Sequence, residues 1–401
     1  MIIAHTEGKR IELKCNQVFS DESDIVIGNT VAIDLVNIFL EIYVADIGTK
    51  RKGDHPRNIS IEAYVDNKNM SLWKDNLDII QNLANFVTEG DNDKWNILLV
   101  PVDYEFDAQQ ISILNTEADN ISLLSGGLDS FCGAYYNEIN GKKTLYCGYK
   151  TSNVDVSSIN RVSAFLHERS GNLGVCTYSK VKINKVTYTQ RTRSLLFFTL
   201  AVLTALKENV SNININENGI MTLNPSFQSR GTTKTTHPKT IYLYQKILDN
   251  IGIDVKLNHP FLFSTKGEMV NSLSFEYKKY IKDTRSCSRS MHDPRYDTSS
   301  TKSCGTCVPC LLRKISMAAY DLEDFDNDYI VPYSGDVNDE EYLSAISYYT
   351  TFYNSIISNQ IFSELLMKKK FYTVPDYYER TYEMLKKFSA EFEIFIKKYG
   401  G

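Results

Sequence analysis

A chain of 401 residues with 42% hydrophobic and 23% charged residues has the composition of an ordinary globular protein, and its length predicts about two to three domains. A formal net charge of -5 disfavours wholesale wrapping of nucleic acid, although a local basic patch is compatible with it. The start, MIIAHTEGKRIELKC, lacks the pattern of a secretory signal, and no apolar run reaches membrane-spanning length, so a cytoplasmic chain outside the membrane is expected.

Residues 1–117 mix strand and helix signals. Ile59, Ile61, Ala63 and Val65 alternate with polar neighbours in NISIEAYVD, as in a half-buried strand. TVAIDLVNIFLEIYVADIG and SLWKDNLDIIQNLANFVTEG carry apolar residues at helical spacing, and both end on Gly. This part reads as an α+β accessory domain with no motif attached to chemistry.

From residue 118 the runs ISLL, KTLYCGY, GVCTY, NINI and IDVKL are separated by helical patterns, the signature of a five-stranded parallel sheet in an α/β fold. TRSLLFFTLAVLTALKEN is apolar nearly all round, so it is expected to pack under that sheet. Residues 118–325 therefore read as one α/β domain. Residues 326–401 form a helical extension, in which two helical stretches flank a turn at Pro375 and Asp376 with Glu379 fits a helix start. In the second, Tyr378, Tyr382, Leu385, Phe388, Phe392, Phe395 and Tyr399 recur every three or four residues.

The stretch NISLLSGGLDSFCGAYY places Gly126 and Gly127 between a strand ending at Leu124 and a helix beginning near Asp129 or Ser130. Backbone amides at a helix start form an anion site, and bare glycines let phosphate oxygens approach. Ser125 and Ser130 add hydroxyl donors, and the amides of 125–130, Leu128 included, complete the loop. Asp129, a carboxylate beside polyphosphate, suits a Mg²⁺ ligand or a fixer of the loop. No Lys follows at the spacing of a Walker loop. SGGLDS instead resembles the PP-loop of the N-type ATP pyrophosphatases, a HUP-like fold, which implies that ATP is held by its β- and γ-phosphates while chemistry occurs at the α-phosphate. The plain alternative is a Gly-rich turn.

Half of the eight cysteines fall between residues 287 and 310. Cys304, Cys307 and Cys310, two residues apart, together with Cys287, have the spacing of a closed tetrahedral Zn²⁺ site with a structural role. Four thiolates also suit an iron–sulfur cluster, and His292 in the intervening loop offers an alternative ligand.

SGGLDS, then Cys287 about 160 residues later followed by CGTCVPC and LLRK, with QRTRSLLFFTLAVLTAL and HPFLFSTKGEMV between them, resemble the 7-cyano-7-deazaguanine synthase (QueC) family over residues 118–325. Where that family carries a Tyr-Pro-Asp-Cys-Arg-like stretch, this chain has NPSFQSRGTTKTTHP, and Ser194 replaces an Asn after the Arg. With the extra amino-terminal part, the chain is more similar to the QueC-like proteins of antiphage defence operons, such as the QatC group. That resemblance implies a ligase that adenylates a 7-carboxy-7-deazaguanine-type carboxylate and joins it to an amine of a companion defence protein, with ATP, Mg²⁺ and Zn²⁺ as cofactors; it is also compatible with a homodimer.

Within this reading Arg193 is a candidate cation for the charge developing on phosphate, beside Asp129 and Ser130. Lys150, at the end of the second strand, is a candidate nucleotide contact. Lys266 is a candidate catalytic contact to the substrate, and Arg230 and His237 are candidates for substrate binding. Arg313 is expected to brace the metal loop. Other readings are the ordinary preQ0 synthase, a non-catalytic nucleotide-binding scaffold, and a tRNA sulfur transferase. The last needs a reactive thiol among Cys132, Cys147 and Cys176.

Overall fold

The structure, a computed structural model, describes residues 2–6, 9–13, 29–51, 55–103, 117–150, 153–178, 190–225, 234–288, 302–336, 338–372 and 374–400. The first part contains β1 (Ile2–Thr6), β2 (Lys9–Leu13), α1 (Thr30–Gly48), β3 (Asn58–Asp66), α2 (Met70–Val87) and β4 (Lys94–Val102). Its sheet is ordered β2-β1-β3-β4, with β1 antiparallel to both neighbours and β3 parallel to β4. The alternation in β3 buries Ile59, Ile61, Ala63 and Val65, as the sequence pattern predicts.

The central part runs β5 (Asn120–Leu123), α3 (Leu128–Ile139), β6 (Thr144–Tyr149), α4 (Asn153–Leu166), β7 (Asn172–Tyr178), α5 (Arg193–Lys207) and β8 (Asn212–Asn214). It continues through α6 (Gly219–Leu223), α7 (Pro238–Asn250), β9 (Lys256–Asn258), α8 (Lys266–Asn271), α9 (Phe275–Lys278) and α10 (Val308–Ala318). The five predicted strands form one sheet ordered β7-β6-β5-β8-β9, with every neighbouring pair parallel. From β5 the chain steps outward to β7 and then restarts at β8 on the other flank of β5. Such a reversal opens a crevice at the carboxyl ends of the two central strands, where ligands bind in open α/β sheets.

Helix α5 is apolar all round because it is packed on both sides, by α1 on one and by β5 and β6 on the other. Likewise α2 packs on α7. One cluster of buried residues consequently joins Phe39 and Ile42 of α1, Trp73 and Leu83 of α2, Phe198 of α5 and Tyr244 of α7, so the apolar core runs unbroken across residue 117. No helix among the described residues is long and apolar enough to cross a membrane.

The remaining helices are α11 (Glu340–Ile357), α12 (Phe362–Lys369) and α13 (Tyr377–Tyr399). The stretch read as one helical segment from residue 339 divides after Ile357, where Asn359 takes a left-handed φ of +60°. Asn tolerates that conformation better than most residues. Asp376 precedes α13 as expected but makes no side-chain cap, since its own φ is +56°. Leu385, Phe388, Phe392 and Phe395 of α13 pack on α10 and α11.

Candidate functional site

Buried Leu124 carries the chain from β5 into Ser125-Gly126-Gly127. Gly126 has φ +73°, and a Cβ there would sit 2.7 Å from the backbone nitrogen of Ile159 in α4, so the loop closes on α4 only with glycine. Gly127 is the N-cap of α3, and no side chain caps that helix. Leu128 buries its side chain in the core beneath, so its backbone amide is what it offers the loop. The Ser130 hydroxyl donates to the Gly127 carbonyl at 2.9 Å and accepts from the Ser125 amide at 3.3 Å. Ser125 Oγ in turn accepts from the Gly127 amide at 3.3 Å, and the Arg285 amide fastens the Gly126 carbonyl at 3.0 Å. The turn is thus fixed from within and from behind, at the positive end of a helix dipole, an arrangement that binds anions.

Beside the loop lies an acidic pair. Asp129 Oδ2 accepts from Lys266 Nζ at 2.8 Å and from Asn218 Nδ2 at 3.2 Å. Lys266, 4% exposed at its side chain, starts α8 behind a capping box of Thr265 and Glu268. Glu217, just past β8, meets Asp129. Burial first, and then the Asp129 charge, push the Glu217 carboxyl well above its ordinary range. Asp129 Oδ1 is buried with no partner among the described residues. Two carboxyl groups with a spare oxygen beside a glycine turn at a helix start are a donor set that fits a hard divalent cation such as Mg²⁺.

Loop and acids open on a cleft of about 350 Å³ at the switch between β5 and β8, within the size range of small-molecule sites. Ser125 and Glu217 line it from the strand tips and Ser130 from the first turn of α3; Gln190, Arg193, Ser194 and Phe197 line it from α5 and its approach. Arg193 is therefore on the cleft, with Asp129 and Lys266 reached through Glu217 and Asn218. Lys150 does not line it: its amide donates to the Tyr178 carbonyl at 2.9 Å, while its neighbour Tyr149 faces the cleft. His237 does not line it either. Its Nδ1 accepts from the Lys239 amide at 3.1 Å as the N-cap of α7, and its ring packs edge-on to Phe86. Burial, then the charges of Lys368, Lys234 and Lys239, push its imidazole down to about 2, so it is a neutral cap; Thr235 and Thr236 reach the cleft instead. Arg230 lies outside the described residues, as does His292.

The sulfurs of Cys287, Cys304, Cys307 and Cys310 lie within 4.8 Å of one another, and this donor set fits a tetrahedral metal ion such as zinc. Cys304 Sγ accepts the amides of Thr306 at 3.4 Å and Cys307 at 3.3 Å, as a thiolate does. Gly305 has φ +82°, and a Cβ there would be 2.2 Å from the Val331 carbonyl, so the knuckle also needs glycine. Arg313 does more than brace this loop. It pairs with Asp326 at 2.6 Å and donates to the Ile281 carbonyl at 2.9 Å and to Thr284 Oγ1 at 3.0 Å. Since Arg285 holds Gly126, the cysteine cluster is linked through residues 281–285 to the phosphate-type loop.

The chain matches no protein-family model and no curated protein. The chemistry of the cleft is therefore read from its own groups. No cysteine among the described residues lines it. Cys132 and Cys147 are fully buried, and burial pushes both thiols up, which leaves them poor nucleophiles. Glu217, Asn218 and Gln190 were not singled out by the sequence; only the strand order brings the tip of β8 beside the tip of β5.

A second acid sits under Lys266. Glu391 of α13 accepts from the Thr265 hydroxyl and, at 3.4 Å, from Tyr320, while its Oε2 is buried with no partner among the described residues. Burial raises its carboxyl from the ordinary 4.5 to about 8. A carboxyl raised in the fold contributes its stability in full below the unfolded value and loses it as pH climbs through the folded one. The melting temperature is thus expected to fall between about pH 5 and about pH 9, and to fall less in Glu391→Gln, as read by thermal unfolding at each pH.

Proposed function

We propose that the chain is an ATP-dependent ligase that adenylates a carboxylate and passes the acyl group to an amine. The observation that carries this reading is the Ser125–Gly127 turn, glycine-bound at the tip of β5, beside a cleft lined by Glu217 and Arg193, with Asp129 behind Glu217. A carboxylate is a poor acyl donor because its leaving group would be oxide. In the first step a carboxylate oxygen bonds to the α-phosphorus of ATP, the bond to the bridging oxygen breaks, and pyrophosphate leaves with the electron pair. In the second an amine nitrogen attacks the acyl carbon, the bond to AMP breaks, and the nitrogen gives up a proton to leave an amide.

The residues divide this work. The amides of 126–130 with the Ser125 and Ser130 hydroxyls hold the departing pyrophosphate, and Arg193 meets charge developing on phosphate or carboxylate. Asp129 and Glu217 would hold Mg²⁺, which when bound neutralises phosphate charge. Lys266 keeps Asp129 in place at 2.8 Å. The four cysteines would hold a structural Zn²⁺.

The resemblance to the QueC family supports a 7-carboxy-7-deazaguanine-type acid as substrate, and the aromatic faces of Tyr149, Phe197 and Phe198 on the cleft suit a flat ring. The further resemblance to defence-operon members supports a companion protein as amine donor. The burial of Cys132 and Cys147, two of the three candidate thiols, favours this reading over sulfur transfer. Intact-mass spectrometry of a companion protein co-expressed with the chain tests it: a mass increment that requires the chain is expected, and an unchanged companion with a free nitrile in solution would return the chain to the ordinary synthase reaction.

A further inference from the structure

We infer that Tyr43 and Asp46 of α1 are positioning residues for the cleft, holding Gln190, Arg193 and Ser194 in register for a flat anionic substrate; this rests on the ligase reading above. Spaced three apart, the two side chains share a face of α1. Tyr43 donates to Gln190 Oε1 at 2.8 Å, and its ring meets that of Tyr149 edge-on at 6.2 Å. Asp46 Oδ2 accepts both the amide of Thr192 at 3.1 Å and its hydroxyl at 3.0 Å. Thr192 is the N-cap of α5 but makes no side-chain cap of its own, so Asp46 supplies the acceptor from a different helix.

Asp46 is itself held. Arg57 Nη2 donates to its Oδ1 at 2.7 Å, and the same guanidinium grips Asp93 at 2.6 Å, which Arg51 also meets at 2.7 Å. Burying such a network is a poor way to gain stability, since desolvation offsets the attraction; its return is a fixed geometry. What that geometry fixes is residue 192. The next two residues, Arg193 and Ser194, face the cleft, and Ser194 Oγ is buried with no partner among the described residues. A hydroxyl so placed awaits a group that a ligand brings. The amino-terminal part, which the sequence reads as an accessory domain, by this geometry stands behind the lining of the substrate site and holds residues that line it.

The test uses the full chain as wild type, Tyr43→Phe and Asp46→Asn, with two readouts: binding of Mg-ATP and of 7-carboxy-7-deazaguanine by calorimetry, and amide hydrogen exchange at residues 190–194. Tyr43→Phe keeps the ring and removes only the hydroxyl that bonds Gln190 and meets Tyr149, so the deazaguanine is expected to bind about fivefold more weakly. Mg-ATP affinity and melting temperature should stay as in wild type. An amide offers one acceptor oxygen where a carboxylate offers two, so Asp46→Asn is expected to speed exchange at Thr192. Unchanged deazaguanine binding in both variants, or a loss of both ligands in step with the melting temperature, overturns the inference. Should wild type itself bind no deazaguanine, the ligase reading falls. Exchange at Thr192 then decides alone, with faster exchange in Asp46→Asn upholding the positioning role and unchanged exchange refuting it.

Discussion

Asp129→Asn is expected to cut carboxylate-dependent pyrophosphate release by about 10²- to 10³-fold, the usual cost of removing one preorganised electrostatic group. The side chain is held by Lys266 and Asn218, lies against Glu217, and has one buried oxygen uncommitted, so it stands where a cation would meet the polyphosphate. Asn keeps the size and one acceptor oxygen, which limits damage to the fold. Truncation to Ala would instead leave the Lys266 ammonium buried without its carboxylate, at a cost of about 3–5 kcal/mol in stability. Asn also removes the charge that pairs with Lys266 but keeps an acceptor oxygen for it, so Asn should lose turnover with a smaller fall in melting temperature than Ala, which should lose both. Release by Asp129→Asn at the wild-type rate would remove this residue from the reaction.

The second large effect is expected at the cysteine cluster. Cys304→Ser, or exposure to a strong chelator, should abolish metal binding as measured by elemental analysis and lower the melting temperature sharply, because a structural zinc site contributes on the order of 10 kcal/mol in small domains. The loss should also reach the nucleotide. Arg313, on the helix that carries Cys310, donates to Ile281 and Thr284, and the following Arg285 holds the Gly126 carbonyl. Mg-ATP affinity is therefore expected to fall with the metal, although the cluster lines no part of the cleft. Full ATP affinity in a metal-free chain would break that link.

Much of the fold was legible in the sequence because its signals are local. Each of the five short apolar runs gave a strand, since runs of that length bounded by polar turns suit a buried strand better than a helix of several turns. The loop and the cysteines were legible for the same reason, as both are written in consecutive or closely spaced residues. Other features depend on distant partners. Helical periodicity in α1 says that one face is buried, but not that β3 takes one side and α5 the other. His237 carries the same ring whether it binds a ligand or caps a helix; the packing of Phe86 from α2 and the charge of Lys368 from α12 that help keep it neutral come from distant elements. Glu217 becomes part of the site only because β8 pairs with β5, a fact about strand order that no spacing in the chain encodes.

The measurement that bears most directly on the ligase reading is the fate of ATP. Wild-type chain incubated with Mg-ATP, 7-carboxy-7-deazaguanine and an amine should yield AMP and pyrophosphate, separated by chromatography, in amounts that depend on the carboxylate and vanish with Asp129→Asn. ADP with inorganic phosphate, or AMP formed equally well without the carboxylate, would contradict it.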